Sequence, residues 1–273
     1  MSVRAGLAVL LLALLTACGP DEAPDRSADR SAGPPPSAVA SSPAPAPGPR
    51  DLAERCGGYL PADADPIRGE VLDGPDGLRL RAGVFGARAA GGVAMVLLHQ
   101  TDEGGLCGWA PFASVAAREG IPSVAFDLCG YGETDCAPTS MGDVATQVRL
   151  AARLARRELG ARRIVVVGAS MGGSQTVRAL AQGFPARGWV DVSGPGEWQG
   201  DTLLDLAPGV GVPGLVVQAR SDGAASYADA RRLAQRTGSR FVDGGSGHGF
   251  ELLTDDDGLT AVGGTVLAYV RDR

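Results

Sequence analysis

Ser170 has the surroundings of a nucleophilic side chain. It stands in the segment Gly168-Ala169-Ser170-Met171-Gly172, which follows an apolar run at residues 164–167 and precedes a helical pattern. Small residues on both sides allow a sharp turn from a strand into a helix, and a serine at the tip of such a turn exposes its hydroxyl. The pattern alone has low specificity, because a glycine-rich turn with a capping serine also fits it. With a base nearby, the Ser170 hydroxyl could attack a carbonyl carbon.

His248 is the candidate for that base. The chain has two histidines, and imidazole is the side chain that exchanges a proton most readily near neutral pH. His248 lies in the segment Gly245-Ser246-Gly247-His248-Gly249-Phe250, just after the last predicted strand. A solvated loop histidine is the alternative interpretation. His99 closes the apolar run at residues 93–98, and we interpret it as a structural residue that orients its loop, with a role as base less favoured.

Asp222 is the candidate carboxylate that would orient the imidazole. It follows a predicted strand at residues 215–218, where a carboxylate could accept the Nδ1 proton of His248 and stabilise the imidazolium. Asp191, near the end of the preceding strand, is a rival, and Glu197 lies further behind it. The hydroxyl, imidazole and carboxylate form a catalytic set only if the fold brings them together.

Strand-like and helical segments alternate along residues 51–273, and these elements must position the three side chains. Residues 71–85 predict two strands around the turn Gly74-Pro75-Asp76-Gly77. Further strands are predicted at residues 93–99, 123–128, 164–167, 189–192, 215–218 and 240–242. Helices are predicted at residues 111–120, 143–160, 172–183, 227–236 and 259–271. Repeated strand–helix units predict an α/β fold, with a mostly parallel sheet between helices and a ligand site at the carboxyl ends of the strands.

Together these motifs resemble the α/β-hydrolase family over about residues 68–271. The likeness rests on the order Ser170, Asp222, His248, with each residue placed after a strand. The segment Leu98-His99-Gln100-Thr101 is similar to the family's strand ending in His-Gly-x. The segment Asp127-Leu128-Cys129-Gly130-Tyr131-Gly132 is similar to its Asp-x-x-Gly-x-Gly turn. The resemblance implies the α/β-hydrolase fold with a catalytic triad, which needs no metal or cofactor.

The resemblance also implies an oxyanion hole made by the backbone N–H groups of Met171 and Thr101. This chain places Gln100 where the family usually has glycine. Either the Gln100 amide helps to bind the oxyanion, or the loop takes a different path. The position of the Thr101 donor therefore depends on how Gln100 is accommodated.

The implied reaction is hydrolysis of a carboxylic ester-type bond through an acyl-enzyme intermediate. About 22 residues separate the strands at 189–192 and 215–218, so we expect one short helix there and no large cap domain. The site should be open, bordered by residues 102–109 and 194–211, and suited to a small ester or a lactone of the dienelactone type. Trp109, Trp198 and Phe250 could form an acyl pocket, although core packing explains them equally well. A serine acyltransferase and a non-catalytic binding protein on a hydrolase scaffold are the alternatives.

The composition narrows the classes of function further. The chain has 273 residues, 44% of them hydrophobic, and a formal net charge of −6. No concentrated basic face is visible, which argues against a nucleic-acid partner. The chain contains neither lysine nor asparagine, so Schiff-base chemistry, a Walker-type lysine and N-glycosylation are excluded.

Residues 1–17 predict a signal peptide. Arg4 supplies a positive start, and residues 5–15 form an apolar run too short to span a bilayer. The segment Leu15-Thr16-Ala17-Cys18 resembles the lipobox of bacterial lipoproteins, in which Cys18 would be acylated (for example with palmitate) and become the first mature residue. The alternative is an ordinary secretory signal with an incidental cysteine. The resemblance implies a partner bilayer and an anchored position on the extracytoplasmic face of a bacterial membrane.

Residues 18–50 predict a disordered linker between Cys18 and a folded domain at residues 51–273. The segment is rich in Pro, Ala and Ser and contains one β-branched apolar residue, Val39. It therefore cannot bury enough apolar surface to offset the entropy of ordering.

Four cysteines remain in the predicted folded domain: Cys56, Cys107, Cys129 and Cys136. An even number in an exported domain predicts two disulfides, with three pairings possible. Cys129 with Cys136 would close a short loop after a strand, which leaves Cys56 with Cys107. A zinc site is not expected, because no Cys-x-x-Cys pair or histidine ligands accompany them.

Overall fold

A computed structural model describes residues 51–102 and 104–273. The strands are β1 Arg68–Asp73, β2 Arg79–Phe85, β3 Val93–Leu98, β4 Ser123–Phe126, β5 Arg163–Ala169, β6 Gly188–Val192, β7 Glu197–Trp198, β8 Asp201–Thr202, β9 Leu215–Gln218, β10 Arg240–Asp243, β11 Thr254–Asp255 and β12 Gly258–Leu259. The α-helices are α1 Leu52–Cys56, α2 Ala110–Arg118, α3 Pro138–Met141, α4 Val144–Leu159, α5 Met171–Ala181, α6 Leu203–Leu206, α7 Ala224–Arg236 and α8 Ala261–Arg271. Short 3₁₀ helices lie at Pro75–Gly77, Gly105–Trp109, Ala207–Gly209, Arg220–Asp222 and Gly249–Leu252.

Eight strands form one sheet in the order β1-β2-β4-β3-β5-β6-β9-β10. The pairs β1–β2 and β2–β4 are antiparallel, and all the other neighbours are parallel. The chain changes its direction across the sheet at β3, because β4 lies on one side of β3 and β5 on the other. A crevice for ligands forms outside the carboxyl ends of the strands at such a reversal.

Side chains of β5 alternate between two hydrophobic clusters. Val165 and Val167 pack in a cluster with residues of α2 and α8, whereas Ile164 and Val166 pack in a second cluster with residues of α4 and α5. Successive side chains of a strand point to opposite faces, so this alternation places helices on both faces of the sheet.

The α4 helix shows how local sequence sets these elements. The side chain of Asp143 accepts a hydrogen bond from Thr146 N at 3.0 Å and caps the first turn. Gly160 ends the helix with φ of 65°, a left-handed conformation that glycine adopts without strain. The helix predicted at residues 143–160 is therefore confirmed, with one capping residue at each end.

The other predicted elements are also present, with ends that shift by a few residues. The helices α1 and α3, the 3₁₀ helices and the small hairpins β7–β8 and β11–β12 were not predicted. Between β6 and β9 the chain forms the β7–β8 hairpin and the short helix α6, so the expectation of no large cap domain is confirmed.

Both expected disulfides are present. Cys56 bonds to Cys107 across a separation of 51 residues, and Cys129 bonds to Cys136 across a separation of 7. The first joins α1 to the 3₁₀ helix Gly105–Trp109, and the second closes the loop that follows β4.

The predicted signal peptide, the lipidated Cys18 and the linker lie outside the described residues. Within residues 51–102 and 104–273, the helices are too short or too polar to cross a bilayer.

Candidate active site

Ser170 occupies a strained turn between β5 and α5. Its φ of 50° and ψ of −119° are unusual for a residue with a side chain. Two glycines make this turn possible. A Cβ atom at Gly168 would overlap the Gly172 carbonyl group, and a Cβ atom at Gly172 would overlap the Leu98 carbonyl group. Glycine is thus required at both positions, because the neighbouring backbone is too close for a Cβ atom.

The turn leaves two polar groups of this segment unused. The Ser170 hydroxyl makes no hydrogen bond within the part of the chain that the structure describes, and neither does the Met171 N–H at the start of α5. The Ser170 backbone is held in place, because its N–H donates to the Val192 carbonyl oxygen at 2.8 Å. A free hydroxyl beside a free N–H at a helix N-terminus suits attack on a carbonyl and binding of the resulting oxyanion.

His248 and Asp222 are joined directly. His248 Nδ1 lies 2.8 Å from Asp222 Oδ1, and Asp222 Oδ2 accepts a hydrogen bond from Gln218 Nε2 at 2.5 Å. The Asp222 side chain is 12% exposed and the His248 side chain 47% exposed, so the imidazole can be reached from solvent. The carboxylate sets Nδ1 as the donor and leaves Nε2 able to accept a proton.

The Ser170 turn and the His248 loop are close neighbours. Val192 accepts from Ser170 N, and the next residue, Ser193, accepts from Gly249 N through its Oγ at 3.1 Å. A Cβ atom at Gly249 would lie 3.9 Å from Ala169 Cβ. No hydrogen bond joins Ser170 Oγ to the His248 ring among the described residues. Catalytic hydrogen bonds are often long in unliganded enzymes and tighten when substrate binds.

The rival carboxylate, Asp191, has no contact with His248. It lies fully buried within β6, where its Oδ1 accepts from Gly194 N at 2.8 Å and its Oδ2 has no partner among the described residues. Burial raises the pKa of Asp191 to about 7, although the hydrogen bond from Gly194 opposes the shift. Glu197 lies in the β7–β8 hairpin.

His99 orients its loop, as the sequence indicates. Its Nδ1 lies 2.7 Å from the Gln100 carbonyl oxygen, and its Nε2 accepts from Leu128 N at 3.0 Å. Burial lowers the pKa of His99, despite the opposing effect of the Gln100 hydrogen bond. The imidazole of His99 is therefore buried and neutral, and both of its ring nitrogens are hydrogen-bonded to backbone groups.

Gln100 directs its side chain toward the His248 loop. Its Oε1 accepts from Phe250 N at 3.3 Å, and its carbonyl oxygen also accepts from Asp102 N at 3.0 Å. The Thr101 N–H, between these contacts, donates to no residue that the structure describes. The Gln100 amide oxygen thus contacts the histidine loop, a role that neither sequence-based possibility included, and the Thr101 N–H has no acceptor among the described residues.

Asp127 connects α1 to the loop that follows β3. Its carboxylate contacts Arg55 Nη1 at 2.5 Å and Nη2 at 2.9 Å, and accepts from Leu106 N at 2.9 Å and Glu133 N at 3.0 Å. Burial opposes the charge of Arg55, but the bonds to Asp127 outweigh it and raise the pKa of the guanidinium. Arg55 also donates to the Gly104 carbonyl oxygen at 3.2 Å. The sequence does not point to Arg55, because 72 residues separate it from Asp127.

The aromatic residues considered for an acyl pocket divide between core and partly buried positions. Trp109 is fully buried and packs edge-to-face on Phe250 with ring centroids 4.9 Å apart. Phe250 and Trp198 are partly buried against the hydrophobic clusters. Core packing therefore explains Trp109. Among the described residues, no group of His, Cys, Asp or Glu side chains has the arrangement of a metal site.

Comparisons with known proteins agree with this architecture. A profile of the alpha/beta hydrolase fold matches residues 94–187. A search of curated proteins finds no match. The Klebsiella pneumoniae protein named a dienelactone hydrolase superposes with a TM-score of 0.58 at 17% identity, covering 77% of this chain and 100% of that one.

Two further solved structures are similar. An esterase from Pyrococcus furiosus has a TM-score of 0.57 at 13% identity, covering 72% of this chain and 85% of its own. The thioesterase domain from the curacin biosynthetic pathway has a TM-score of 0.56 at 14% identity, covering 76% and 99%. The chain has the α/β-hydrolase fold, with a mostly parallel central sheet and helices on both faces.

Proposed function

We propose that the protein is a serine hydrolase that cleaves carboxylic ester-type bonds through an acyl-enzyme intermediate. The observation that carries the proposal is the 2.8 Å contact between His248 and Asp222, beside a strained turn that exposes a free serine hydroxyl. A binding module has no need of a carboxylate that holds a solvent-accessible imidazole next to a serine. The esterase and thioesterase among the similar structures are consistent with this reaction class.

In the proposed first step, Ser170 Oγ attacks the carbonyl carbon while its proton moves to His248 Nε2. Asp222 holds the Nδ1 proton and stabilises the imidazolium without taking the proton. The negative charge that develops on the carbonyl oxygen is bound by the Met171 and Thr101 N–H groups. The tetrahedral intermediate then breaks its bond to the leaving alcohol, which takes the proton from His248.

In the proposed second step, water replaces the alcohol. The water oxygen attacks the acyl-enzyme carbonyl carbon while His248 takes a proton from the water. The resulting tetrahedral intermediate then expels Ser170 Oγ. The proton on His248 returns to Ser170, and a carboxylic acid is released. An acyltransferase would differ only in using another alcohol in place of this water.

The proposed substrates are small esters or lactones. The segment between β6 and β9 contains only a two-stranded hairpin and short helices, so no cap domain encloses a long acyl chain. The proposed location, on the outer side of a bacterial membrane through acylated Cys18, rests on the sequence of residues 1–18. Replacing Cys18 with alanine should then release the protein from the membrane fraction of cells that produce it.

Replacing the nucleophile tests the proposed reaction. We expect Ser170→Ala to lower kcat for p-nitrophenyl acetate by about 10⁴-fold or more, because the attacking oxygen is lost. Labelling by a fluorophosphonate probe should disappear with it. Circular dichroism would show that the fold is retained.

Ser174→Ala is a matched control on the same helix. Ser174 Oγ donates to the Pro195 carbonyl oxygen at 2.9 Å and takes no part in the proposed reaction. It should keep both hydrolysis and labelling. If the Ser170 variant hydrolyses the ester as fast as the natural protein, the proposal is wrong. Transfer of the acetyl group to added alcohol in preference to water would instead identify an acyltransferase.

A further inference from the structure

The first two backbone N–H groups after His248 are each held by a side chain from a different part of the sheet. Ser193 Oγ accepts from Gly249 N at 3.1 Å, and Gln100 Oε1 accepts from Phe250 N at 3.3 Å. Ser193 directly follows β6, and Gln100 follows β3 after one intervening residue. The loop that carries the candidate base is thus attached to two neighbouring segments at the carboxyl edge of the sheet.

Ser193 is a rigid point of attachment. It is 1% exposed, and its N–H donates to the Val217 carbonyl oxygen at 2.8 Å. Its φ of 59° lies in the left-handed region, which a non-glycine residue adopts only when the surrounding structure holds it there. Val192, the residue before it, accepts from Ser170 N, so one short segment contacts both the nucleophile turn and the histidine loop.

Gln100 is the second point of attachment. Its own carbonyl oxygen is held by His99 Nδ1 at 2.7 Å and Asp102 N at 3.0 Å, which sets the backbone from which the side chain extends. Gly249 leaves room for the amide, because a Cβ atom at that position would overlap Gln100 Oε1. The residue after Gln100 supplies the Thr101 N–H of the proposed oxyanion hole.

The imidazole itself is weakly enclosed. The His248 side chain is 47% exposed, so packing does not determine the position of the ring. The hydrogen bonds of His248 N and of the Gly247 backbone are with exposed groups: Glu251 Oε2 accepts from His248 N at 3.3 Å, and Ser221 Oγ bonds to the backbone of Gly247. The attachments at Gly249 and Phe250 therefore connect the backbone next to the base to the buried frame. They act in addition to the contact of the ring with Asp222 and the packing of Phe250 on Trp109.

We propose that Ser193 and Gln100 are positioning residues for the general base, and the proposal rests on the proposed function. The segment after β6 carries the acceptor of the Ser170 N–H, and the segment after β3 carries the proposed oxyanion donor. Through Ser193 and Gln100, these two segments also hold the backbone N–H groups of the two residues that follow His248. The relative placement of base, nucleophile and oxyanion donor is thereby set by one hydrogen-bonded frame. A displacement of about 1 Å between such groups is enough to lower a rate by about 100-fold.

The experiment compares variants of the full chain that remove each attachment. Ser193→Gly removes the hydroxyl and tolerates the positive φ, and Gln100→Met removes the acceptor at similar length. Gln100→Glu keeps an oxygen acceptor at the same place. Ser123→Ala removes a buried hydroxyl that has no partner among the described residues, and Gln182→Met removes an amide that accepts from Ala145 N away from the site. These two variants serve as matched controls.

Two readouts are measured for each variant. Steady-state kinetics with p-nitrophenyl acetate give kcat and KM, and proton NMR detects the His248 Nδ1 proton shared with Asp222. The chain has two histidines, and the signal lost in Asp222→Asn identifies that of His248. We expect Ser193→Gly and Gln100→Met each to lower kcat by about 10-fold or more, with KM changed less than about twofold, and to shift or broaden the Nδ1 signal.

Gln100→Glu should retain more kcat than Gln100→Met, and the controls should leave both readouts unchanged. The proposal is overturned if both attachment variants match the controls in kcat, or if the Nδ1 signal is unaltered in both. Ser193→Gly and Gln100→Met lie on different segments. If one of these variants misfolds, the other still tests the proposal. If the natural protein hydrolyses no ester, the proposed function fails, while the Nδ1 signal still shows whether Ser193 and Gln100 hold the imidazole.

Discussion

The two aspartates near the carboxyl ends of β6 and β9 show how environment separates residues of the same type. Asp222 is partly exposed and shares its carboxylate oxygens with His248 and Gln218. Asp191 is 1% exposed and receives one hydrogen bond, from Gly194 N. Because an ionised carboxylate needs several donors when it is buried, Asp191 is kept neutral over a wider pH range. Its raised pKa is therefore a consequence of burial and no sign of catalytic use.

Asp222→Asn tests the role of the paired aspartate. An asparagine would present the wrong hydrogen-bonding pattern to His248 Nδ1, because its amide offers a donor as well as an acceptor. We expect kcat for p-nitrophenyl acetate to fall by about 10⁴-fold with little change in the melting temperature. Unchanged kcat would contradict the assignment of Asp222 as the partner of the base.

Asp191→Asn tests the buried aspartate through the pH dependence of stability. The folded-state pKa is raised from 3.8 to about 7, so the folded protein retains a proton that the unfolded chain loses between these values. Stability contributed by this group is therefore lost as the pH rises through that window. Relative to the natural protein, the variant should gain stability from about pH 4 upward, reaching about 4 kcal/mol above pH 7.

Urea unfolding at several pH values measures this difference, and Asp243→Asn provides a control of opposite sign. Asp243 is exposed, and the hydrogen bond from Gly245 N lowers its pKa, with a further bond from Tyr227 in the same direction. Its contribution to stability is lost as the pH falls, so its removal should destabilise above about pH 4. A pH-independent difference between Asp191→Asn and the natural protein would contradict the buried, neutral carboxyl.

At the scale of single elements, the turn between β5 and α5 leaves no room for added side-chain volume at its glycines. Gly168 and Gly172 approach backbone carbonyl groups, and a Cβ atom at Gly173 would overlap Asp191 Oδ1. These contacts bring α5 close to the sheet, so that Ser170 lies at the carboxyl edge with its N–H held by β6. Side-chain volume at these glycines would displace the helix and the hydroxyl with it.

Gly172→Ala should disrupt this packing. The added methyl would overlap the Leu98 carbonyl group of β3, and we expect a loss of stability of about 3 kcal/mol or more. Gly264→Ala is the matched control, because it lies in α8 and a Cβ atom there meets nothing within 4 Å. That substitution should raise stability by about 0.5–1 kcal/mol. Equal denaturation midpoints for the two variants would show that the turn is not tightly packed.

Across the whole molecule, α1 is fastened to the loop that carries the proposed oxyanion donor. The Cys56–Cys107 disulfide joins α1 to the 3₁₀ helix after β3, and Arg55 binds Asp127, which also accepts from Leu106 N. Two independent attachments therefore act on residues 104–107. Through them, α1 contributes to the geometry of the proposed site at the ends of distant strands.

Removal of each disulfide in turn tests this attachment. The double variant Cys56→Ala/Cys107→Ala releases a constraint over 51 residues, worth about 4 kcal/mol in a chain-entropy estimate, against about 2 kcal/mol for Cys129→Ala/Cys136→Ala over 7 residues. We expect the first pair to lower the denaturation midpoint more. It should also lower kcat more, because the oxyanion loop is loosened. The reverse order in both measurements would contradict the attachment.

Much of the fold could be predicted from local patterns. Asp143 and Gly160 mark the ends of α4, and the apolar run before Ser170 indicates a buried strand. The pairing of Arg55 with Asp127 could not be predicted, because nothing in a separation of 72 residues specifies a contact. Ser193 also gave no signal, since its contact with Gly249 N depends on a positive φ that serine rarely adopts.

Periodicity, caps and glycine spacing are local properties, and they were sufficient for the type and order of the main elements and for the turn at Ser170. The partners of the polar side chains depend on which strands are neighbours, which is a property of the assembled sheet. Only the tertiary structure brought the Asp222 carboxylate into contact with His248 and left the Asp191 carboxyl buried, with no contact to His248. It also directed Gln100 to Phe250, because the loops after β3 and β10 meet at the carboxyl edge of the sheet. Hydrogen bonds between distant segments follow from that arrangement, and the spacing of residues along the chain does not encode them.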